Sequence, residues 1–189
     1  MPEFKHPADS DIHMALLMQP EHANFGGNIH GGYLLSLMDQ AAYACASKFT
    51  QKYCVTASVN TVDFRTPIHV GDLITIRARV NYTGRTSMVV GLRVEAENLI
   101  VGTVRHSNSS YFTMVAKTPD GKPSTVPGLI LETADDIRRF LSAYERREAH
   151  RDNDKRYTAR DFVLTPDILA WCAMQNSQIS AALRQQYMK

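Results

Sequence analysis

The sequence predicts an α+β fold in which a curled antiparallel sheet wraps around one long buried helix. Two observations predict it. Residues 33–49, YLLSLMDQAAYACASKF, place apolar side chains around most of a helical circumference, the mark of a helix enclosed by other structure. Further on, residues 73–82 and 87–97 each alternate apolar and polar side chains on either side of Thr83-Gly84-Arg85, as two strands of a hairpin with one buried face do.

The elements follow in order. Residues 12–18 read as a short first strand. The stretch QPEHANFGGNIHGG is rich in Asn, Gly and His and makes a loop into the helix. That helix has alanine content and length in its favour, and leaves only a narrow polar stripe of Ser36, Gln40, Tyr43 and Ser47, with Asp39 at its edge. Residues 54–64, rich in Val and Thr, form a strand, and Pro67 and Gly71-Asp72 mark turns. In 73–82 the inward set is Ile74, Ile76, Ala78, Val80 and Tyr82; in 87–97 it is Val90, Leu92, Val94 and Ala96. Residues 100–116 form a long last strand, bulged between His106 and Ser110, which Thr118-Pro119-Asp120-Gly121 closes as a turn. Thr133 with Asp136 resembles a capping box at the start of a charged helix. Thr165-Pro166 starts another helix, expected to run to Tyr187 with Ile168, Cys172, Ile179, Leu183 and Tyr187 on its apolar face. The chain thus divides into a domain over 1–131 and a helical extension over 132–189.

Composition narrows the function. At 189 residues, 44% hydrophobic and 21% charged, the chain is long enough to bury a core without staples. A net charge of +2, from 21 basic and 19 acidic residues, is too small to point to nucleic acid or an anionic membrane as partner. Cys45, Cys54 and Cys172 are sparse and odd in number, which argues against a disulfide framework and for a reducing compartment. The polar start MPEFKHPADSD has no secretory apolar segment, so the expected location is cytoplasmic. The seven histidines show no metal-ligand spacing, and neither a metal nor a cofactor is expected.

The chemistry-bearing residues cluster where the loop enters the buried helix. Gly31 and Gly32 at a helix N-terminus leave backbone N–H groups free to meet an oxyanion, although glycines also serve as plain turns there. Asp39 sits among apolar neighbours, where partial desolvation would raise its pKa toward that of a general base; it also suits a solvated stripe. Asn28 suits either a carbonyl-polarising amide or a turn residue. Asp63 is a rival carboxylate with Arg65 and Arg77 as candidate partners. His30 and His106 read as structural or peripheral, since a catalytic histidine needs an orienting partner. The turn Arg85-Thr86-Ser87 offers a guanidinium, hydroxyls and N–H groups to a phosphate, or is simply a hairpin turn. Asp39 lies eight residues beyond Gly31, about 12 Å along the helix, so one carbon reaches both Asn28 and Asp39 if a second chain brings its own helix alongside, or if the loop folds back within one chain.

Taken together, G-N-I-H-G-G followed by L-x-x-M-D, then V-T-A-S-V, P-I-x-V-G-D and T-G-R-T-S-M, resemble the acyl-CoA hydrolases of the hotdog superfamily, the broad-range long- and medium-chain cytosolic thioesterases. The likeness spans residues 8 to 148 and includes V-P-G-L-I-L-E-T-A-D-D. It implies a five- or six-stranded sheet around the helix, a dimer joined edge to edge, and a trimer of such dimers. It implies hydrolysis of fatty acyl-CoA with Asn28 and Asp39 from facing subunits as catalytic residues, Asp39 acting as base or as nucleophile. It implies Gly31 and Gly32 as the oxyanion hole, Leu34, Leu35 and Met38 along the acyl chain, and Arg85, Thr86 and Ser87 near the CoA phosphates. A non-hydrolytic acyl-CoA sensor and a hydroxyacyl-thioester dehydratase using His30 are the alternatives on the same fold. Beyond residue 150 the resemblance ends.

Overall fold

The computed structural model describes residues 3–156, 163–175, 177–182 and 185. The chain divides into two compact units, Met1–Ala149 and His150–Lys189.

In the first unit, strands β2 (Ile12–Leu17), β3 (Tyr53–Val59), β4 (Asp72–Thr83), β5 (Ser87–Asn98) and β6 (Thr103–Lys117) form one antiparallel sheet in the order β2-β4-β5-β6-β3. Two-residue strands β1 (Phe4–Lys5) and β7 (Gly128–Leu129) pair in parallel beside it. The inward residues of the three central strands, among them Ile76, Val94 and Phe112, close on helix α1 (Gly31–Thr50), whose Leu34, Met38, Ala42, Cys45 and Phe49 are buried in the same core. Each such large apolar side chain contributes about 1.5–3 kcal/mol on burial, so the sheet and the helix depend on each other. This is the α+β arrangement that the periodicities predict.

Four elements differ from the sequence reading, each for a local reason. Tyr82 does not face the core. The register slips between Val80 and Tyr82, so Asn81 is an extra residue and the alternation reverses. Tyr82 therefore packs on Phe140 and Tyr144, at ring separations of 5.0 and 5.7 Å. The bulge depends on Gly91, where any Cβ would lie 2.2 Å from Asn81 Nδ2. Strand β3 stops at Val59 rather than 64: the Asn60 N–H still donates to the Tyr111 carbonyl at 3.0 Å, but the Asn60 carbonyl accepts from Ser110 Oγ at 3.2 Å in place of a ladder N–H. Strand β6 begins at Thr103; Leu99–Gly102 make the hairpin turn, with Asn98 Oδ1 accepting from the N–H groups of Ile100 and Val101 at 3.1 and 3.0 Å. The bulge expected in the last strand is present, with Ser107 the extra residue opposite Val94 and Glu95.

Helix α2 (Ala134–Arg156) opens with the reciprocal cap, Asp136 N–H on Thr133 Oγ1 at 3.1 Å and Thr133 N–H on Asp136 Oδ2 at 3.0 Å. Its first turns cover the outer face of the sheet, with the Arg146 guanidinium 4.7 Å above the Tyr111 ring. In the second unit, Thr165 caps helix α3 (Pro166–Met174) by accepting from Ile168 N–H at 3.4 Å. The helix ends at Met174 instead of continuing to Tyr187. Gln175 turns extended, and the Cys172 carbonyl takes both the Gln175 N–H and the Ser177 hydroxyl. Ile179 lies beyond its end, and Leu183 and Tyr187 fall outside the described residues. No helix among the described residues is long and apolar enough to cross a membrane.

Candidate active site

The loop from Met18 to His30 is tied down before it reaches α1. Asn24 does most of the tying. Its Oδ1 accepts the N–H groups of Gly26 and Asn28, at 2.9 and 3.2 Å, while its own N–H donates to the Asn28 carbonyl at 2.7 Å. Gly27, at φ +80°, supplies the left-handed residue that this tight loop needs. Because Oδ1 is the acceptor for two backbone donors, the Asn24 amide has one orientation, and its NH2 group makes no hydrogen bond among the described residues.

His30 caps the helix. Its Nδ1 accepts from the N–H groups of Gly32 and Tyr33 at 3.0 and 3.3 Å. The Gly32 N–H is therefore occupied rather than offered to a ligand, which corrects the expectation of an oxyanion donor there. The cap also explains the glycine, since a Cβ at Gly32 would lie 2.7 Å from His30 Cε1. The N–H of Gly31 makes no hydrogen bond among the described residues. Asn24, Asn28, Gly31, Leu34, Phe64 and Ser107 line a hollow of about 260 Å³.

Asp39 belongs to a different hollow, of about 630 Å³, with Tyr43, Tyr53, Val55 and Thr56 around it. In the single chain it is exposed, not partly desolvated as its apolar neighbours suggested; helix α1 turns Leu37, Met38, Ala41 and Ala42 to the core and leaves Asp39 on the far side. Thr56 Oγ1 donates to Asp39 Oδ1 at 2.5 Å, joining the helix to β3, which is an edge strand of the sheet. The sequence reading did not single out Thr56. Its place in the V-T-A-S-V strand, two residues from buried Cys54 and so on the side of β3 that meets the helix, was the available signal.

The remaining candidates sort as follows. Leu34 and Met38 are buried in the core and Leu35 packs at its margin. Arg85, Thr86 and Ser87 line neither hollow. The carbonyls of Arg85 and Thr86 accept from Val126 and Ala116, each at 3.1 Å. Ser87 pairs with Val115, next to the Met114 that faces Thr56, so the turn lies toward the Asp39 end of the sheet. Asp63 is exposed and makes no ion pair among the described residues, while Arg77 pairs with Glu95. His106 shares a hydrogen bond with Ser109 at 2.9 Å.

Residues 26–103 match the family model described as thioesterase superfamily. Protein VdlD of Helicobacter pylori is 44% identical over 135 residues, covering 71% of this chain and 77% of VdlD. The crystal structure of a hexameric acyl-CoA thioesterase superposes with a TM-score of 0.78 at 34% identity, over 80% of this chain and 97% of that one. An acyl-CoA hydrolase from Staphylococcus aureus, solved with butyryl coenzyme A and coenzyme A, gives 0.74 at 30% identity, over 81% and 95%. Solved variants of that hydrolase replace by alanine an asparagine, an aspartate 15 residues further on, and a threonine 17 residues beyond the aspartate.

Proposed function

This chain belongs to the thioesterase superfamily and is an acyl-CoA thioester hydrolase, and from that premise we propose that it cleaves fatty acyl-CoA in a site that two chains build together. One observation carries the reading: in a single chain the hollow at the start of α1 and the hollow around Asp39 share no residue. Gly31 and Asp39 are separated by about 12 Å of helix, whereas reacting atoms must stand about 3–3.5 Å apart. A second copy, docked along the unpaired edge of β3, would bring its loop to the first copy's Asp39.

In this reading water attacks the thioester carbon. Asp39, with one oxygen held by Thr56, takes the water's proton on the other. The Gly31 N–H and the amide NH2 of Asn24 meet the oxyanion. Collapse breaks the carbon–sulfur bond, the thiolate leaves as CoA and receives the proton from Asp39, and the acid departs. Asn24, Asp39 and Thr56 stand 15 and 17 residues apart, the same spacings as the three residues replaced in the Staphylococcus aureus hydrolase. Those spacings, and the fixed orientation that two backbone donors give its amide, favour Asn24 over Asn28 for the amide role, with Asn28 its neighbour in the hollow. Leu34, Leu35 and Met38 flank the acyl chain, and Arg85, Thr86 and Ser87 lie near the CoA phosphates.

Residues 1–131 are then the catalytic domain, 132–189 a helical extension, a dimer or a trimer of dimers the working form, and the cytoplasm its location. The test is thiol release from acyl-CoAs of increasing length by wild type and Asp39→Asn. Turnover by wild type alone supports the reading. Equal turnover by both removes Asp39 from the chemistry.

A further inference from the structure

Behind the first hollow lies a polar side chain in an apolar place. Asn108 on β6 is fully buried, and its Oδ1 has no hydrogen-bond partner among the described residues. Among the described residues its Nδ2 reaches only the sulfur of Met38, at 3.4 Å, a weak acceptor. Met38 is also fully buried. A carboxamide left this way is costly, because a buried polar group needs partners, and an Asn in a core strand is an odd filler where Val or Leu would pack without that cost. The bulge explains how it comes to be there: the extra residue Ser107 turns two successive polar side chains, Ser107 and Asn108, away from solvent. Ser107 lines the hollow beside Leu34, and Met38 is one helical turn beyond Leu34 on the same face of α1.

We propose that the acyl chain runs from the first hollow along Leu34 toward Met38, and that Asn108 and Met38 together stop it there and restrict this enzyme to short and medium acyl chains. The inference rests on the proposed site, with the thioester at Gly31. From Gly31 to Met38 is seven residues, about 10 Å along the helix. An extended chain advances about 1.2 Å per bond, so a straight acyl chain of about eight carbons fills that depth. A longer one must push Met38 aside. Methionine is flexible enough to move, but moving it takes away the one side-chain hydrogen bond that Asn108 makes among the described residues and leaves the whole amide against methylene groups. Leu34 gives the chain an apolar wall up to that point, and the amide ends it.

The test reads the ratio of kcat/KM for dodecanoyl-CoA to that for butyryl-CoA in wild type, Asn108→Ala and Met38→Ala, with thermal melting to identify folded variants. Wild type is expected to lose activity beyond about eight carbons, and each folded variant to raise the ratio at least tenfold, because either half of the stop is then missing. A ratio within twofold of wild type in a folded variant overturns the stop. So does a wild type that takes dodecanoyl-CoA as readily as butyryl-CoA. Should wild type cleave no acyl-CoA of any length, the proposed function itself fails and the stop fails with it.

Discussion

The Thr56 hydroxyl donates to the Asp39 carboxylate across 2.5 Å, linking an edge strand to the middle of the buried helix. Neither side chain is enclosed in one chain, and the bond fixes which carboxylate oxygen stays free.

Removing that bond is expected to lower kcat without unfolding the chain. Thr56→Ala should cost about 10- to 100-fold in kcat, within the range of a positioned catalytic hydrogen bond. Thr56→Ser, which keeps the hydroxyl, should recover most of it. Steady-state thiol release on one substrate checks both, and equal loss in the serine variant would place the effect in packing.

Asn24 has two jobs that one substitution separates. Asn24→Asp keeps an oxygen for the N–H groups of Gly26 and Asn28 but replaces the NH2 donor by oxygen. The expected result is a loss of about 100-fold or more in kcat with an unchanged melting temperature. Asn24→Ala should lower both. Asn28→Ala is expected to have the smaller kinetic effect of the two alanine variants.

A site shared between chains predicts complementation. When Asn24→Asp and Asp39→Asn chains are coexpressed, half of the dimers carry one intact site out of two, about a quarter of wild-type activity in a symmetric two-fold assembly. Each variant alone is inactive. Purified mixed dimers with no recovered activity would place the whole site in one chain.

The helix cap sets a stability prediction. Gly32→Ala puts a methyl group 2.7 Å from His30 Cε1, so the imidazole must leave the helix terminus. The expected loss is about 0.5–2 kcal/mol, the range for removing a cap, read from urea unfolding at neutral pH. His30→Ala should lose a similar amount.

Acid should weaken one cross-strand cluster in a known direction. The Arg93 guanidinium, and then Arg77, hold the Glu95 carboxyl below its usual 4.5. A lowered native pKa means that the stabilisation is complete above that value and is lost as pH falls through the native one. The stability gap between wild type and Glu95→Gln should therefore be largest at neutral pH and shrink below about pH 4.5. Paired urea titrations at pH 7 and pH 3 measure it, and a constant gap would show that the charge on Glu95 is not what stabilises.

The helix and the central strands were legible because their periods are strong. Leu34, Met38, Ala42 and Phe49 repeat on a helical face, and Ile74 to Val80 alternate without interruption. What was not legible depended on partners distant in sequence. Asp39 looked desolvated from its chain neighbours, but its exposure is set by which side of α1 meets the sheet. Thr56 gained its role from a helix 17 residues earlier. Gly32 looked free because the sequence does not show where the His30 ring points. Asn24 does not stand out beside the denser G-N-I-H-G-G run, since only the closed loop reveals what its side chain holds.

The extra residue at Asn81 has a consequence for the outside of the molecule. Strand side chains obey a parity, and one insertion swaps odd for even from that point on. By that swap an aromatic ring that would have deepened the core becomes a handle on the surface, and Phe140, Tyr144 and Arg147 grip it. The attachment of α2 is thus encoded outside α2, in a single added position of a strand that precedes it by more than fifty residues. Were β4 to run through Asn81 in regular alternation instead of bulging there, Tyr82 would return to the interior and leave an intact, well-capped helix with nothing to hold.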